Sequence, residues 1–298
     1  MKEGSQVPIY TRSYRSYEGE VRRRFRWWVI AVHELRILSK NRAFLGLTAL
    51  AGLHFLLRVQ QVVAFDTLNT PGQTSPIVTL MRQIEMFNVD PGMFFDFIRL
   101  QAPAVFLVSI LAGAGMICGD FNNNLMEVYF SKPLTWRDYV TGKAMALIIT
   151  GLCFTAVPAV VLVILHLLMS PTMETLQEMY WIPVSATAFS LVLVLPCALG
   201  VLASSAVSRS ERYASIAIFM IVFGDLMLGQ LMQELMHQRQ YAIIAFPLAI
   251  NRIGESLFYQ RFQFIPLPWH YAAIYVGAVC LGALAIVCRV VRRAEVAV

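Results

Sequence analysis

The stretch Ile182–Val207 reads IPVSATAFSLVLVLPCALGVLASSAV, and no charged side chain interrupts it. Crossing the hydrocarbon core of a bilayer takes about 20 residues of helix, which this run supplies without a break. The alternation over about ten residues that marks a barrel strand is missing. Working outward, five more runs meet the same requirement: roughly Ala43–Ala64, Leu100–Cys118, Ala144–Met169, Ala214–Met236 and Tyr271–Cys288. The first is the weakest, because His54 and Arg58 interrupt it. The expected fold is an all-α integral membrane protein of six transmembrane helices.

Composition agrees. Of 298 residues, 58% are hydrophobic and 14% are charged, where a soluble domain carries about a quarter charged residues. Cys118, Cys153, Cys197, Cys280 and Cys288 all lie in apolar stretches with no CxxC spacing. Neither a disulfide framework nor a zinc site is indicated. The first apolar run starts behind a long basic stretch, which is not the layout of a cleaved secretory signal. The expected organisation is a cytoplasmic N-terminal segment over 1–42 and one transmembrane domain over 43–298.

The net charge of +6 is unevenly spread. Lys2, Arg12, Arg15, Arg22, Arg23, Arg24, Arg26, Arg36, Lys40 and Arg42 precede the first span. Lys132, Arg137 and Lys143 follow the second, Arg209 and Arg212 follow the fourth, and Arg289, Arg292 and Arg293 follow the sixth. The opposite connections hold only Arg82, Arg99, Arg239, Arg252 and Arg261. The positive-inside rule then predicts both termini in the cytoplasm. Such a distribution marks membrane orientation, and nucleic-acid binding is not expected.

Two outer connections are long, about Phe65 to Arg99 and about His237 to His270. In the second, Tyr241–Phe246 and Ile250–Phe258 are apolar pieces broken by Pro247, with Pro266 and Pro268 beyond. They are too short to span and too apolar to be solvated. Broken, re-entrant or interfacial half-helices before the last span are expected, with protein covering their free backbone groups. One further transmembrane pair is the alternative.

Two cytoplasmic segments carry information. Between Glu20 and Arg42, Val21, Phe25, Trp28, Val32 and Leu35 recur at steps of four and three, so they share one helical face. Arg22, Arg26, His33, Arg36 and Lys40 occupy the rest. An amphipathic interface helix on anionic lipid is expected, with Trp27 and Trp28 at headgroup level. The second segment, Gly119–Lys143, reads GDFNNNLMEVYFSKPLTWRDYVTGK. Asn122–Asn124 predict a turn, since Asn tolerates left-handed backbone. Leu125–Phe130 predicts a short helix ended by Pro133. Thr135, with Asp138 three residues on, predicts an N-cap for the third span.

This segment resembles the first cytoplasmic loop of ABC-2-type permeases, the transmembrane subunits of many ABC exporters. The matching residues are Gly119-Asp120, Glu127, Ser131-Lys132-Pro133-Leu134-Thr135 and Gly142-Lys143. Where the family often has Gly before its Leu-Glu pair, Asn124 precedes Leu125 here and Met126 separates Leu125 from Glu127. The segment HELRILSKNR leading into the first span is similar to the family's interface helix. The resemblance implies a separate ABC ATPase on the inner face, with Asn124, Leu125, Glu127, Phe130, Ser131, Lys132, Pro133, Leu134 and Arg137 in the coupling region. It implies that Trp28, Glu34 and Arg36 belong to the interface helix beside it. It further implies a second permease copy, identical or paralogous, and a multi-pass location in the bacterial inner (cytoplasmic) membrane among its lipids. ATP and Mg would be held by the partner, with no cofactor on this chain. The chain lacks G-x-x-x-x-G-K-[ST]: Arg137 stands where the first Gly would precede Gly142-Lys143.

Asp225, in FGDLMLGQ, is an intramembrane acid that either faces a pathway or makes a structural pair, for example with Arg58. His54 and Arg58, four apart, share a helical face. They contact substrate headgroups, or Arg58 snorkels outward. His166 reads as interfacial, and Gly115-x-x-x-Gly119 as a candidate close-packing motif. Pro158, Pro183 and Pro196 predict kinks. The alternative functions are an ion-coupled secondary transporter, which would be expected to carry several intramembrane acids, and an intramembrane enzyme. Ser204-Ser205 has no Gly-x-Ser-Gly context or evident His partner. Catalytic and metal-binding residues are therefore not expected.

Overall fold

The computed structural model describes residues 25–68, 88–131, 134–169, 177, 179–259 and 265–297. The described residues are helical and contain no strand, and six helical stretches are long and apolar enough to cross a membrane. Helix α1 is Arg26–Leu38 and α2, the first span, is Arg42–Leu68. The second span is α3, Pro91–Gly113, followed by α4, Cys118–Asn122. The short α5, Leu125–Phe130, leads toward the third span, which is split into α6, Trp136–Phe154, and α7, Ala156–Met169. The fourth and fifth are α8, Ile182–Val207, and α9, Glu211–Met236. A 3-10 turn, Arg239–Ile244, and α10, Phe246–Leu257, precede the sixth, α11, Trp269–Ala297.

The expected spans are all present, with corrected ends. The second begins at Pro91, where Asp90 accepts from Met93 N at 2.9 Å and Pro91 opens the helix. Of the prolines expected to kink spans, Pro183 instead opens α8, and Pro158 follows the break at Thr155. Pro196 lies inside continuous helix.

Span α8 is the central post. Ala186, Phe189, Val194, Ala198, Val201 and Leu202 on it are buried, and it packs on α3, α6, α7 and α11. By contrast α9 exposes Ile216, Met220, Ile221, Phe223, Met227 and Leu228, as expected of a helix in apolar surroundings. Gly113 lies where a Cβ would come within 2.8 Å of Leu147 and Val201, and a Cβ on Gly115 would meet Glu211 at 3.3 Å. The small-residue run thus packs within this chain, while Gly119 faces open space.

Helix α10 is a half-helix packed against the starts of the second and fourth spans, as the apolar pieces predicted for a half-helix before the last span. Pro247 does not break it; it sits in the first turn and starts it. Gly254 lets α10 lie against Phe95 and Phe189, whose rings, with Phe258, form a cluster at 5.2–6.2 Å. Protein therefore covers its backbone.

The apolar stripe of α1 is for the most part not the side that packs on the protein. Ile30, Ala31, Glu34 and Leu38 are buried, whereas Phe25 and Trp28 are exposed, Trp28 by 47%. Val32 and Leu35 are half-buried, and Val21 lies outside the described residues. Apolar periodicity located the face left exposed, because the face against the protein includes the charged Glu34. Helix α1 lies on α6, where Gly142 leaves the space: a Cβ there would stand 2.7 Å from Ile30 Cβ and 2.8 Å from Trp27 O. Gly142→Ala should therefore force α1 off α6. Overpacking of this kind costs about 1–3 kcal/mol. Thermal unfolding of the detergent-purified chain should shift down, and an unchanged midpoint would contradict the close approach.

Candidate functional site

The end of the bundle where the second span leads into the third is built around a break in the second span. Between α3 and α4 the chain at Ala114–Ile117 leaves the helical ladder, and buried backbone groups there need partners. Ser205, on α8, supplies them. Its hydroxyl donates to Ala114 O at 2.7 Å and accepts from Ile117 N at 3.1 Å and Cys118 N at 3.2 Å. Sequence inspection considered Ser205 only as a nucleophile, and nothing in its neighbours marks it as a clamp.

The break aims Asp120 at the start of α6. Lys143 Nζ donates to Glu34 Oε1 at 2.6 Å and to Met116 O at 3.1 Å, and lies 2.8 Å from Asp120 Oδ2. Tyr139 Oη donates to the same Asp120 oxygen at 2.7 Å. Lys143 and Tyr139 are fully buried, and the two carboxylates nearly so. One ammonium thus ties together α1, α4 and α6. The motif residues Asp120, Gly142 and Lys143 meet Glu34 of the interface helix in one cluster.

The short α5 is mounted on this cluster. Asn124 takes the left-handed conformation, φ 54°, and reverses the chain after α4. Met126 is buried, while Tyr129 and Phe130 set their rings 5.4 and 6.3 Å from Tyr139. Tyr129 lies 6.0 Å from the Lys143 ammonium. Burial pushes its phenol above the ordinary value, more than Lys143 draws it down, so a neutral ring faces the cation. The other side of α5 is open: Leu125, Glu127, Val128 and Ser131 are exposed, with Ser131 Oγ bonded to Val128 O at 3.0 Å. Lys132 and Pro133 lie outside the described residues. Leu134 is half-buried, and Arg137 is exposed over the Trp136 ring at 5.3 Å. The expected capping box is present, with Asp138 N donating to Thr135 Oγ1 at 3.3 Å and Thr135 N to Asp138 Oδ2 at 3.2 Å. Asn122 Nδ2 donates to Arg209 O at 2.9 Å, tying in the connection between α8 and α9. Arg36 is exposed on α1.

Over residues 28–263 the sequence matches the family described as ABC-2 family transporter protein. The chain belongs to the ABC-2 transporter family. It is a multi-pass membrane transport permease, and members of this family generally partner with an ABC ATPase. No curated protein matches the chain. The match runs from α1 through α10, so the charge cluster and α5 of this ABC-2 protein both lie inside it.

The intramembrane polar residues lie apart from the cluster. Asp225 on α9 accepts from Phe246 N, the first residue of α10, and its other oxygen is 3.5 Å from Tyr275 Oη. Tyr275 in turn donates to Ile244 O at 2.9 Å. Arg58 is not its partner; Arg58 Nη1 donates to Gln61 Oε1 at 2.7 Å. His54 stacks on Phe97, ring centres 5.1 Å apart. His166, expected at an interface, is instead buried, with Nδ1 2.9 Å from Asp66 Oδ2 at the facing end of α2. Sequence reading missed Asp66 and the buried Glu255, which pairs with Arg252 at 3.4 Å.

Lys143→Met would leave two buried carboxylates facing each other. Removing one partner of a buried pair costs about 3–5 kcal/mol. Glu34→Gln keeps an acceptor and leaves the Lys143–Asp120 pair balanced, so its loss should be smaller. Protease resistance and thermal unfolding of both variants check the order, and equal losses would contradict it.

Proposed function

We propose that this chain is the membrane-spanning permease subunit of an ATP-driven exporter, and that a separate ABC ATPase docks on α5 and the end of α1. The observation that carries the reading is the two-sided character of α5. One side is locked onto Tyr139 and the charge cluster, and the other presents Leu125, Glu127 and Val128 outward. A short helix of that kind transmits force without yielding, because the side chains behind it are already packed. Glu127, Ser131, Lys132, Pro133, Leu134 and Arg137 would meet the partner around it, with Asn124 and Phe130 holding its angle. Trp28 and Arg36 lie on the free sides of α1 and would rest on lipid headgroups and the partner.

ATP and its Mg belong to the partner in this reading, and this chain performs no hydrolysis. Both termini lie in the cytoplasm, as the basic residues require, and the membrane is the bacterial cytoplasmic one. A second permease copy completes the translocation path, for which the long apolar side of α9 leaves room. Asp225 is a positioning residue that holds the start of α10, and His54 and Arg58 are likewise structural.

The test is co-purification. Tagged native chain drawn from its own membranes in mild detergent should bring a P-loop ATPase with it. Glu127→Arg should lose most of that partner while the chain itself stays folded, because Glu127 is exposed. Native chain that brings no ATPase, or a variant that retains it fully, would overturn the reading.

A further inference from the structure

The inner end of α11 forms a cavity of about 530 Å³ with the start of α6, lined by Trp136, Cys288, Arg289, Arg292, Arg293 and Val296. The three arginines are exposed, and none makes an ion pair among the described residues. Arg137, outside the lining, adds a fourth positive charge 5.3 Å from the centre of the Trp136 ring. The nearby acids are engaged: Glu295 accepts from Trp136 N at 3.2 Å, and Asp138 caps α6. The lining itself thus carries three guanidinium groups and no carboxylate, and even with Glu295 and Asp138 close by the balance of charge around the cavity is positive.

We infer that this cavity holds the phosphate headgroup of an anionic phospholipid. The wall above it argues for a lipid. Ala272, Val276, Ala283, Val287 and Val291 form the buried side of α11. On the opposite side Leu281, Ala285, Cys288 and Arg292 follow one another at steps of four, three and four, and the first two are exposed. That apolar strip runs roughly 16 Å from Leu281 to the level of Arg292, so an acyl chain can lie along it while its phosphate meets the guanidinium groups. Arginine forks fit phosphate oxygens in pairs. Trp136 stands at the boundary, where Trp is favoured. A basic pocket between helices at the inner membrane surface is a chemistry that anionic headgroups fill. Because Glu295 holds the first residue of α6, lipid bound here would touch the helix that carries Tyr139 and Lys143.

The test uses the full chain purified in mild detergent, with native mass spectrometry of added phosphatidylglycerol or phosphatidylcholine. Native chain should retain phosphatidylglycerol and shed phosphatidylcholine. A basic residue near an anionic surface contributes about fivefold, so Arg289→Gln, Arg292→Gln and Arg293→Gln together should weaken retention about a hundredfold. Arg209→Gln with Arg212→Gln, a control at another inner connection, should leave it unchanged. The corresponding three Arg→Lys changes should keep most of it, and single Arg292→Glu should weaken it if the triple variant fails to fold. Equal retention of the two lipids, or equal loss in the control, would overturn the inference. Displacement by millimolar inorganic phosphate would overturn it in favour of a free-anion site. Loss of a co-purifying protein from the triple variant with phosphatidylglycerol retained would overturn it in favour of a protein contact.

Discussion

The end of the bundle that carries α5 depends on one buried ammonium. Lys143 reaches Glu34 on α1 and Asp120 on α4 from its place on α6, and it can reach both only when the three helices hold one mutual register. Such a cluster is a poor source of net stability, because desolvating three charges offsets most of their attraction. Its value is geometric. An apolar contact between α1 and α6 would tolerate sliding or rotation, whereas a displacement that separates Lys143 from either carboxylate strands a charge in a dry interior. Gly142 and Ser205 serve the same arrangement from either side. The first lets α1 approach, and the second satisfies the backbone opened where the second span bends Asp120 into place.

The opposite end is held by different chemistry. Its half-helix α10 begins against the membrane-embedded acid Asp225, which accepts the Phe246 N–H that the helix itself cannot satisfy. Tyr275 bridges Asp225 and Ile244, and Gly254 seats the helix on aromatic rings. At the facing side, Asp66 and His166 join the ends of the first and third spans. Each contact joins separate helical elements, so the described part of this end is also held by specific contacts.

What could be read beforehand follows from the range of each interaction. Span existence depends on local apolar runs, so all six were legible. The capping box at Thr135 and Asp138 and the left-handed Asn124 are likewise local and were legible. The motif around α5 was found, but not that Asp120 and Lys143 meet Glu34, because that pairing joins residues 109 positions apart. The same reason hid Ser205, whose partner lies 91 positions away, and Asp66, which is 100 positions from His166. The apolar stripe of α1 was legible, but not which of its residues pack on the protein, because there a Glu faces inward. Trp28 and Phe25 stay exposed and take no part in the core.

These constraints bear on how a force applied at α5 would enter the bundle. Helix α5 is only six residues long, too short to be stable by its own hydrogen bonds. Its shape is set by Met126, Tyr129 and Phe130 packed on Tyr139, and Tyr139 is fixed by Asp120 and hence by Lys143. A push on the exposed side of α5 is therefore delivered to α1, α4 and α6 together and not absorbed by local bending. Because α4 continues into the second span and α6 into the third, those two spans would move first. The fourth would follow through Ser205, which cannot stay behind without releasing three backbone groups in a buried place.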